Sequence, residues 1–405
     1  MPTRRESALQ SLFRAIADQS EISLEQLART LSLKPSSLRG KIQPLVRKGL
    51  LSYSRDHKRI GVNRDFGCVV GIDVGASHLH FALADFSGEI LGDTTVKIRP
   101  EDGPRDMIHQ IKETVRNLAR KAGHGRLRGI AIGVPSPVDT EHGVVTFANN
   151  LPGWKDLHLG RELERDFRVP VFMENDANMA AIGEHWRGVA RGVNNFVFVA
   201  LGTGVGSGVF INGNLYRGRS GAAGEVYRMN IDWQSWDQDF PDTGQFESFV
   251  SGMGIAAEGR QALAVLSQAE AGGLAQERDA YFVFEAFRQG SAGARAVLGK
   301  TFVMLGVGIA NVVAILDPDL IVLGGGIAKG APEFMLPIVE EVVRRIQPTP
   351  PPITLSSLED KAQTYGAIRA ALGVARDAII RRVRAQGHVA SASPPGRHRL
   401  KKPGG

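Results

Sequence analysis

Residues 171–184, Val-Phe-Met-Glu-Asn-Asp-Ala-Asn-Met-Ala-Ala-Ile-Gly-Glu, join an apolar run of strand type (169–173) to a segment of helical composition (177–184). A strand that hands over directly to a helix is the building unit of open α/β sheets. Such sheets bind ligands in the crevice beyond the carboxyl ends of their strands. Glu174, Asn175 and Asp176 stand at that handover. A carboxylate flanked by the amides of Asn175 and Asn178 can take a proton from a sugar hydroxyl while the amides orient the sugar. The same letters also spell an Asx cap on the following helix, with no ligand at all.

Three glycine turns elsewhere bear on the choice. Asp73-x-Gly75, running on to Ser77, and Gly202-Thr203-Gly204 each follow one strand-like run and precede another, and Gly324-Gly325-Gly326 leads from a strand into a helix. Backbone N–H groups in such turns can hold the phosphates of a nucleotide, and the third turn can admit its adenosine. Tight hairpins need glycine anyway, so each turn alone says little. Three of them at strand ends, in two lobes, with the acidic stretch between, point to a nucleotide-and-sugar cleft.

The first 66 residues have a different pattern. Leu9, Leu12, Phe13 and Ile16 recur at helical spacing, and Ser23 with Gln26 forms a capping-box signature before a second helix. A third helical segment covers 36–48, and residues 49–62 alternate as a hairpin around Arg55-Asp-His-Lys58-Arg59. Three helices and a basic-tipped hairpin describe a winged helix-turn-helix, although a three-helix protein-docking module has the same outline. Charge favours DNA. Residues 1–66 carry 13 Lys and Arg against 6 Asp and Glu, and residues 375–405 carry 8 against 1. That leaves 67–374 at −7 within a total of +7. An acidic body with basic ends meets a polyanion at its ends. Ser36, Ser37, Arg39 and Lys41 are then the DNA-facing positions of the third helix, and Arg55, Lys58 and Arg59 those of the wing. Gly40 and Pro44 fall inside the third helix, so it is expected in two short pieces.

The 405 residues suffice for two or three domains, and the boundaries expected are 1–66, 67–184, 185–364 and a basic, disordered tail at 386–405. The closing helix, 365–385, completes the 67–184 lobe. No apolar run approaches the roughly 20 residues of a membrane span, so a cytoplasmic protein with no membrane partner is expected. The single cysteine, Cys68, excludes an intrachain disulfide and a cysteine-based zinc site.

Gly71-Ile-Asp-Val-Gly-Ala-Ser77, Gly133-Val-Pro135, Asn150-Leu-Pro-Gly-Trp154, Glu174-Asn-Asp-Ala-Asn178, Leu201-Gly-Thr-Gly-Val-Gly206, Gly224-Glu225 and Leu323-Gly-Gly-Gly-Ile327 occur in this order behind the helix-turn-helix. In them the chain resembles the ROK family of repressors and sugar kinases, in the branch of the xylose and N-acetylglucosamine repressors. The resemblance implies an α/β fold: an actin-like ATPase of two ribonuclease-H-like lobes behind a winged helix-turn-helix. It implies sugar contacts from Asn150, Asn175, Asp176, Glu225 and Glu247. Asp176 is then the catalytic base if kinase activity survives. Nucleotide contacts fall to Asp73, Gly75, Ser77, Gly202, Thr203, Gly204, Gly325 and Gly326.

The departures from the family are specific. Its zinc-binding histidine and three cysteines align with Arg228, Gln238, Phe240 and Gln245, so zinc is expected to be absent. Arg228 either draws a more anionic sugar or pairs with an acid, and Trp233 and Trp236 either pack the metal-free loop or stack on sugar. His78 replaces the residue that ends the first phosphate turn. These features favour a sugar-responsive regulator, a repressor without cofactor, that binds operator DNA as a homodimer or tetramer. Its effector would be a sugar or sugar phosphate. The alternative is an ATP- and Mg²⁺-dependent sugar kinase that also binds DNA.

Overall fold

In a computed structural model the chain is described over residues 8–391, apart from 18, 20, 55, 57, 76, 100–101, 122, 124, 148–150, 152, 241–242 and 265–279. It begins with α1 (Ala8–Ala17), β1 (Ile22–Ser23), α2 (Leu24–Thr30), α3 (Pro35–Arg47), β2 (Leu51–Tyr53) and β3 (Arg59–Val62). The three strands form one antiparallel sheet in the order β1-β3-β2, so the fold is a winged helix. Ser23 and Gln26 form the expected reciprocal capping box at the start of α2.

The third helix is a single piece, contrary to the expectation of two. Pro35 opens α3 at its first turn, and Pro44 is accommodated inside it. The bond that Pro44 cannot make would have gone to the Gly40 carbonyl. Both residues lie on the exposed face, where water can take that carbonyl, and nothing lies within 4 Å of where a Gly40 side chain would begin.

Two five-stranded sheets follow, and they share one topology. The first is built from β4 (Cys68–Val74), β5 (His78–Asp85), β6 (Ile90–Lys97), α4 (Pro104–Lys121) and β7 (Leu127–Val134). A small antiparallel sheet comes next, made of β8 (Val138–Asp139), β9 (Val144–Phe147) and β10 (Lys155–Leu157). Then come α5 (Leu159–Phe167), β11 (Val171–Asn175) and α6 (Asp176–Arg187). The sheet order is β11-β7-β4-β5-β6: an antiparallel meander, then two strands parallel to its first. The second sheet repeats this with β12 (Phe196–Leu201), β13 (Val205–Ile211) and β14 (Asn214–Leu215) as the meander. After α7 (Gln245–Val250), α8 (Gly252–Ala264), α9 (Tyr281–Arg288) and α10 (Ala292–Leu316) come β15 (Leu320–Gly324), α11 (Gly326–Gly330), α12 (Pro332–Ile346) and β16 (Ile353–Leu355). The order β14-β13-β12-β15-β16 matches the first sheet strand for strand. The small sheet carries no periodicity that can be read from sequence, because β8 and β10 are two and three residues long, whereas sequence reading overlooked α5 although Leu159, Leu163 and Phe167 recur at helical spacing.

The chain closes with α13 (Ala362–Ser391), which packs on α6, β4 and β7 and touches α1. It runs six residues into the segment expected to be disordered. Residues 386–391 contain no proline, and the next prolines come at 394 and 395. The rest of the expected tail, 392–405, lies outside the described residues.

One core joins the winged helix to the body. Leu12, Phe13, Ile16, Leu38 and Ile42 belong to the same buried cluster as Ala82, Ala84, Phe86, Ile368 and Leu372. Polar contacts fix the joint: Arg64 Nε to Asp85 (2.7 Å) and Arg128 to the Phe66 carbonyl (2.8 Å). Arg376, held within the body by the Phe86 carbonyl (2.8 Å), lays its guanidinium over the Phe13 ring of α1. Helix α10 is long and apolar enough to cross a membrane, but more than half of its apolar stretch is buried in the core of the second lobe.

Candidate functional site

The handover at residues 171–178 is used twice over. The side-chain oxygen of Asn175 accepts from the N–H groups of Ala177 (2.9 Å) and Asn178 (3.2 Å), so the Asx cap exists. It also fixes the carboxylate of the next residue at the helix start, where Asp176 accepts from Ala177 N at 2.7 Å. The cap and the candidate base are one device. Asn178 is buried and spends its amide on Glu174 (3.0 Å).

Four of the predicted acids come together. Burial pushes Asp73, at the end of β4, up to about 7, and the Asp176 carboxylate adds to the shift. Asp176 is pushed up to about 6, by burial first and with a contribution from Glu225; the Ala177 N–H pulls the other way. Burial likewise raises Glu225, helped by Glu247 and opposed by Arg228. Glu247, also raised by burial, accepts from Val205 N at 2.7 Å. Asp73, Asp176, Glu225 and Glu247 therefore feel one another in sequence across both lobes. Such a cluster favours hydroxyl donors and repels anions.

The two phosphate-turn candidates are hairpin turns, as expected. Gly75 N bonds His78 O (2.9 Å) in the first, and Gly202 N bonds Gly204 O (3.0 Å) in the second. Ser77 and His78 are exposed at the tip of the first, with Ser77 Oγ 2.7 Å from His78 Nδ1. Thr203 is exposed at the tip of the second. The second turn is held from behind by Glu247, whose carboxylate oxygen lies 2.6 Å from where a Gly204 Cβ would sit, so a side chain at 204 would push that carboxylate off Val205 N. Gly325, at φ +92, passes against the Leu201 carbonyl beside that turn, 2.3 Å from where its own Cβ would be, and Gly326 opens α11. Asn150, the remaining sugar candidate, lies outside the described residues.

The loop between Glu225 and Glu247 departs most from expectation. Among the described residues Arg228 makes no ion pair, although its charge acts on Glu225: its Nε donates to the Tyr227 hydroxyl (2.7 Å), and its guanidinium lies over the Tyr227 ring. Trp233 and Trp236 do not pack the loop. They are 78% and 77% exposed. A buried amide holds the loop instead. Gln245 accepts from Ile231 N (2.7 Å) and donates to Asn230 Oδ1 (3.1 Å), the Asp232 carbonyl (3.2 Å) and Ser235 Oγ. Sequence reading noted Gln245 as a missing metal ligand and overlooked that an amide can tie the same strands together.

On the winged helix, Ser36, Ser37 and Arg39 are exposed on α3, and Lys41 is half-buried at its flank. Gln43 and Arg47 share the exposed side and were not anticipated. Lys58 and Arg59 are exposed on the wing, and Arg55 lies outside the described residues.

A second contact missed in the sequence ties the lobes. Glu174, at the end of β11, accepts from Arg217 Nε at 2.7 Å, and Arg217 follows β14 of the other sheet.

The model of the ROK family matches residues 69–373. The chain belongs to the ROK family. A xylose repressor of Caldicellulosiruptor bescii is 26% identical, over 88% of this chain and 93% of its own length. A glucokinase of Halalkalibacterium halodurans is 33% identical but covers only 66% of this chain. A solved ROK transcriptional regulator, a homologue of the Escherichia coli Mlc protein, superposes with a TM-score of 0.78 over 90% of this chain at 24% identity. The duplicated sheet topology is thus the two-lobed, actin-like fold of ROK sugar kinases, preceded by a winged helix.

Proposed function

We propose that this ROK chain is a sugar-responsive transcriptional repressor: the winged helix binds operator DNA, and the cleft of the kinase-like body senses a neutral sugar. The observation that carries this reading is the shared core of α1–α3 with β5 and α13. It builds the DNA-binding element into the body, and a relative named a xylose repressor spans both parts where the glucokinase spans one. Asp176, Glu225 and Glu247, with Asn150 and the Asn175 amide, receive the sugar hydroxyls. The acidic surroundings select a neutral sugar over the sugar phosphate that Arg228 had suggested.

The loop that holds zinc in the family works here without metal. Arginine, glutamine and phenylalanine at the four ligand positions offer no zinc chemistry, and Gln245 supplies the cross-links. Operator binding as a homodimer or larger oligomer completes the proposal, since a paired site matches a symmetric protein.

A second reading keeps kinase activity. Asp176, raised to about 6, is close to the range of a general base at neutral pH. Under that reading ATP and Mg²⁺ bind at the turns of Gly75 and Gly202–Gly204. The deciding experiment combines calorimetric titration with xylose and glucose, gel-shift on the operator, and an ADP-release assay. Sugar binding that changes operator affinity with no ADP release supports the repressor. Sugar-dependent ADP release without any effect on DNA binding overturns it.

A further inference from the structure

The loop of residues 229–244 is stemmed at both ends by candidate sugar-binding acids, Glu225 before it and Glu247 after it. Its stems are zipped together: Phe246 N bonds Met229 O (3.1 Å) and Gln245 accepts from Ile231 N. From this base rises a 3₁₀ turn, Trp233–Ser235, continued by Trp236 in helical geometry. Side chains three apart on a 3₁₀ turn eclipse, so Trp233 and Trp236 share one side of it. Both indoles are more than three-quarters exposed. Gln245 holds the turn through Ser235 Oγ, which places Trp236 one residue and one hydrogen bond from Gln245, itself two residues before Glu247.

Among the described residues, nothing in the packing explains two such tryptophans. A large apolar ring left in water is unfavourable unless something covers it, and here one short turn carries two. The charge of the loop narrows what that partner is. Residues 229–244 contain four aspartates and no lysine or arginine. Nucleic acid and anionic sugars are repelled there. Aromatic faces combined with carboxylate acceptors suit the C–H faces and hydroxyls of neutral saccharides.

We infer that Trp233 and Trp236 form an outer subsite that stacks on a second sugar unit, so the effector is a neutral oligosaccharide or glycoside with its terminal unit in the cleft. The inference rests on the sugar-sensing reading above and names its ligand class.

The test is a titration series on the full chain. Glucose and xylose are compared with their β-1,4-linked dimers and trimers, cellobiose, cellotriose, xylobiose and xylotriose, and with maltose. At least one series gains tenfold or more in affinity from monomer to dimer. Trp233→Ala/Trp236→Ala removes that gain and leaves monosaccharide affinity unchanged; circular dichroism confirms that the variant is folded. The longer sugar also shields tryptophan fluorescence from iodide, while the monosaccharide does not. Monosaccharide binding with no gain on lengthening, or a gain that survives the double substitution, overturns the outer subsite and leaves the sensor intact. No binding by any of these sugars overturns both.

Discussion

Arg217→Ala tests whether the two lobes are held by the Glu174 contact. Glu174 is 4% exposed in its side chain and Arg217 is 37% exposed. One carboxylate oxygen of Glu174 accepts from Asn175 N and from the Asn178 amide, both at 3.0 Å, and the other is engaged by Arg217 at 2.7 Å. Removing the guanidinium leaves a buried negative charge with one oxygen unsatisfied. Breaking a buried pair from one side costs roughly 3–5 kcal/mol, and access of water at the Arg217 end reduces this to about 2–3 kcal/mol. Glu174→Gln removes the charge itself and costs about 1 kcal/mol, the worth of an ordinary hydrogen bond. Because the cost in Arg217→Ala comes from the stranded charge, Glu174→Gln/Arg217→Ala is no less stable than Arg217→Ala alone. At about 2.1 cal/mol/K per residue, the joined span 8–391 gives an unfolding entropy near 0.8 kcal/mol/K, so 2–3 kcal/mol lowers Tm by about 3–4 °C. Calorimetry of the four proteins completes the cycle. A single Arg217→Ala within 1 °C of the parent, or a double variant showing the sum of both losses, refutes the reasoning.

Asp176→Asn keeps shape and an acceptor oxygen but loses the base. Sugar affinity falls by about 1–2 kcal/mol in a titration while sugar-free operator binding holds, and a fall of 10²–10⁴ in sugar-dependent ADP release would instead mark a kinase. The acids also set a pH dependence. Asp176 at about 6 and Asp73 at about 7 bind protons that the unfolded chain has released. Their contribution to the stability of the free protein therefore rises as pH falls from 8 to 5. Sugar affinity moves the opposite way over the same range, because hydroxyls donate to ionised carboxylates; Asp73→Asn flattens the stability trend, and parallel trends in the two measurements count against the cluster. Gln245→Ala lowers Tm with or without chelator, and elemental analysis of the parent finds no stoichiometric zinc; one zinc per chain refutes the amide-held loop. Lys58→Ala/Arg59→Ala weakens all DNA sequences alike and flattens the salt dependence by about two units of slope, and an unchanged slope removes the wing from the interface.

What the sequence made legible follows from how local each signal is. Ser23 and Gln26 meet within one turn, so their capping box could be read directly and is present. The first two glycine turns are hairpins because a strand, a tight turn and a second strand are neighbours in the chain. Pro44 misled because its effect depends on surroundings: on an exposed face, four residues after a glycine, it leaves the helix intact. Trp233 and Trp236 misled because hydrophobic residues are usually inside, and only the packing shows that Gln245 has already closed the loop beneath them. The pair Glu174–Arg217 is 43 residues apart in sequence and lies across two sheets. No periodicity announces a contact of that kind, although Glu174 itself stood within the stretch first singled out.

The way the winged helix is mounted limits how an effector can act under the proposed function. Leu12, Phe13, Leu38 and Ile42 share a core with Phe86, Ile368 and Leu372. Arg64 and Arg128 lock the joint with bonds of 2.7–2.8 Å, and Arg376 lies over the Phe13 ring. A sugar cannot release DNA by loosening this attachment without exposing a large part of that core. Under the proposed function the sugar sits at the boundary between lobes: Asp176 lies on the first, Glu225 and Glu247 on the second, and α6 packs against β12 and β13 as well as α13. Drawing Glu225 and Glu247 toward Asp176 moves the second sheet against the first, and the winged helix travels with the first. A signal of this kind becomes a change in spacing only when a second copy supplies the other half of the operator-binding surface. The switch then resides in the differential affinity of the sugar for two lobe arrangements. Arg217, at the lobe boundary and outside the ring of cleft acids, is where a substitution changes the response of DNA binding to sugar without removing a cleft acid.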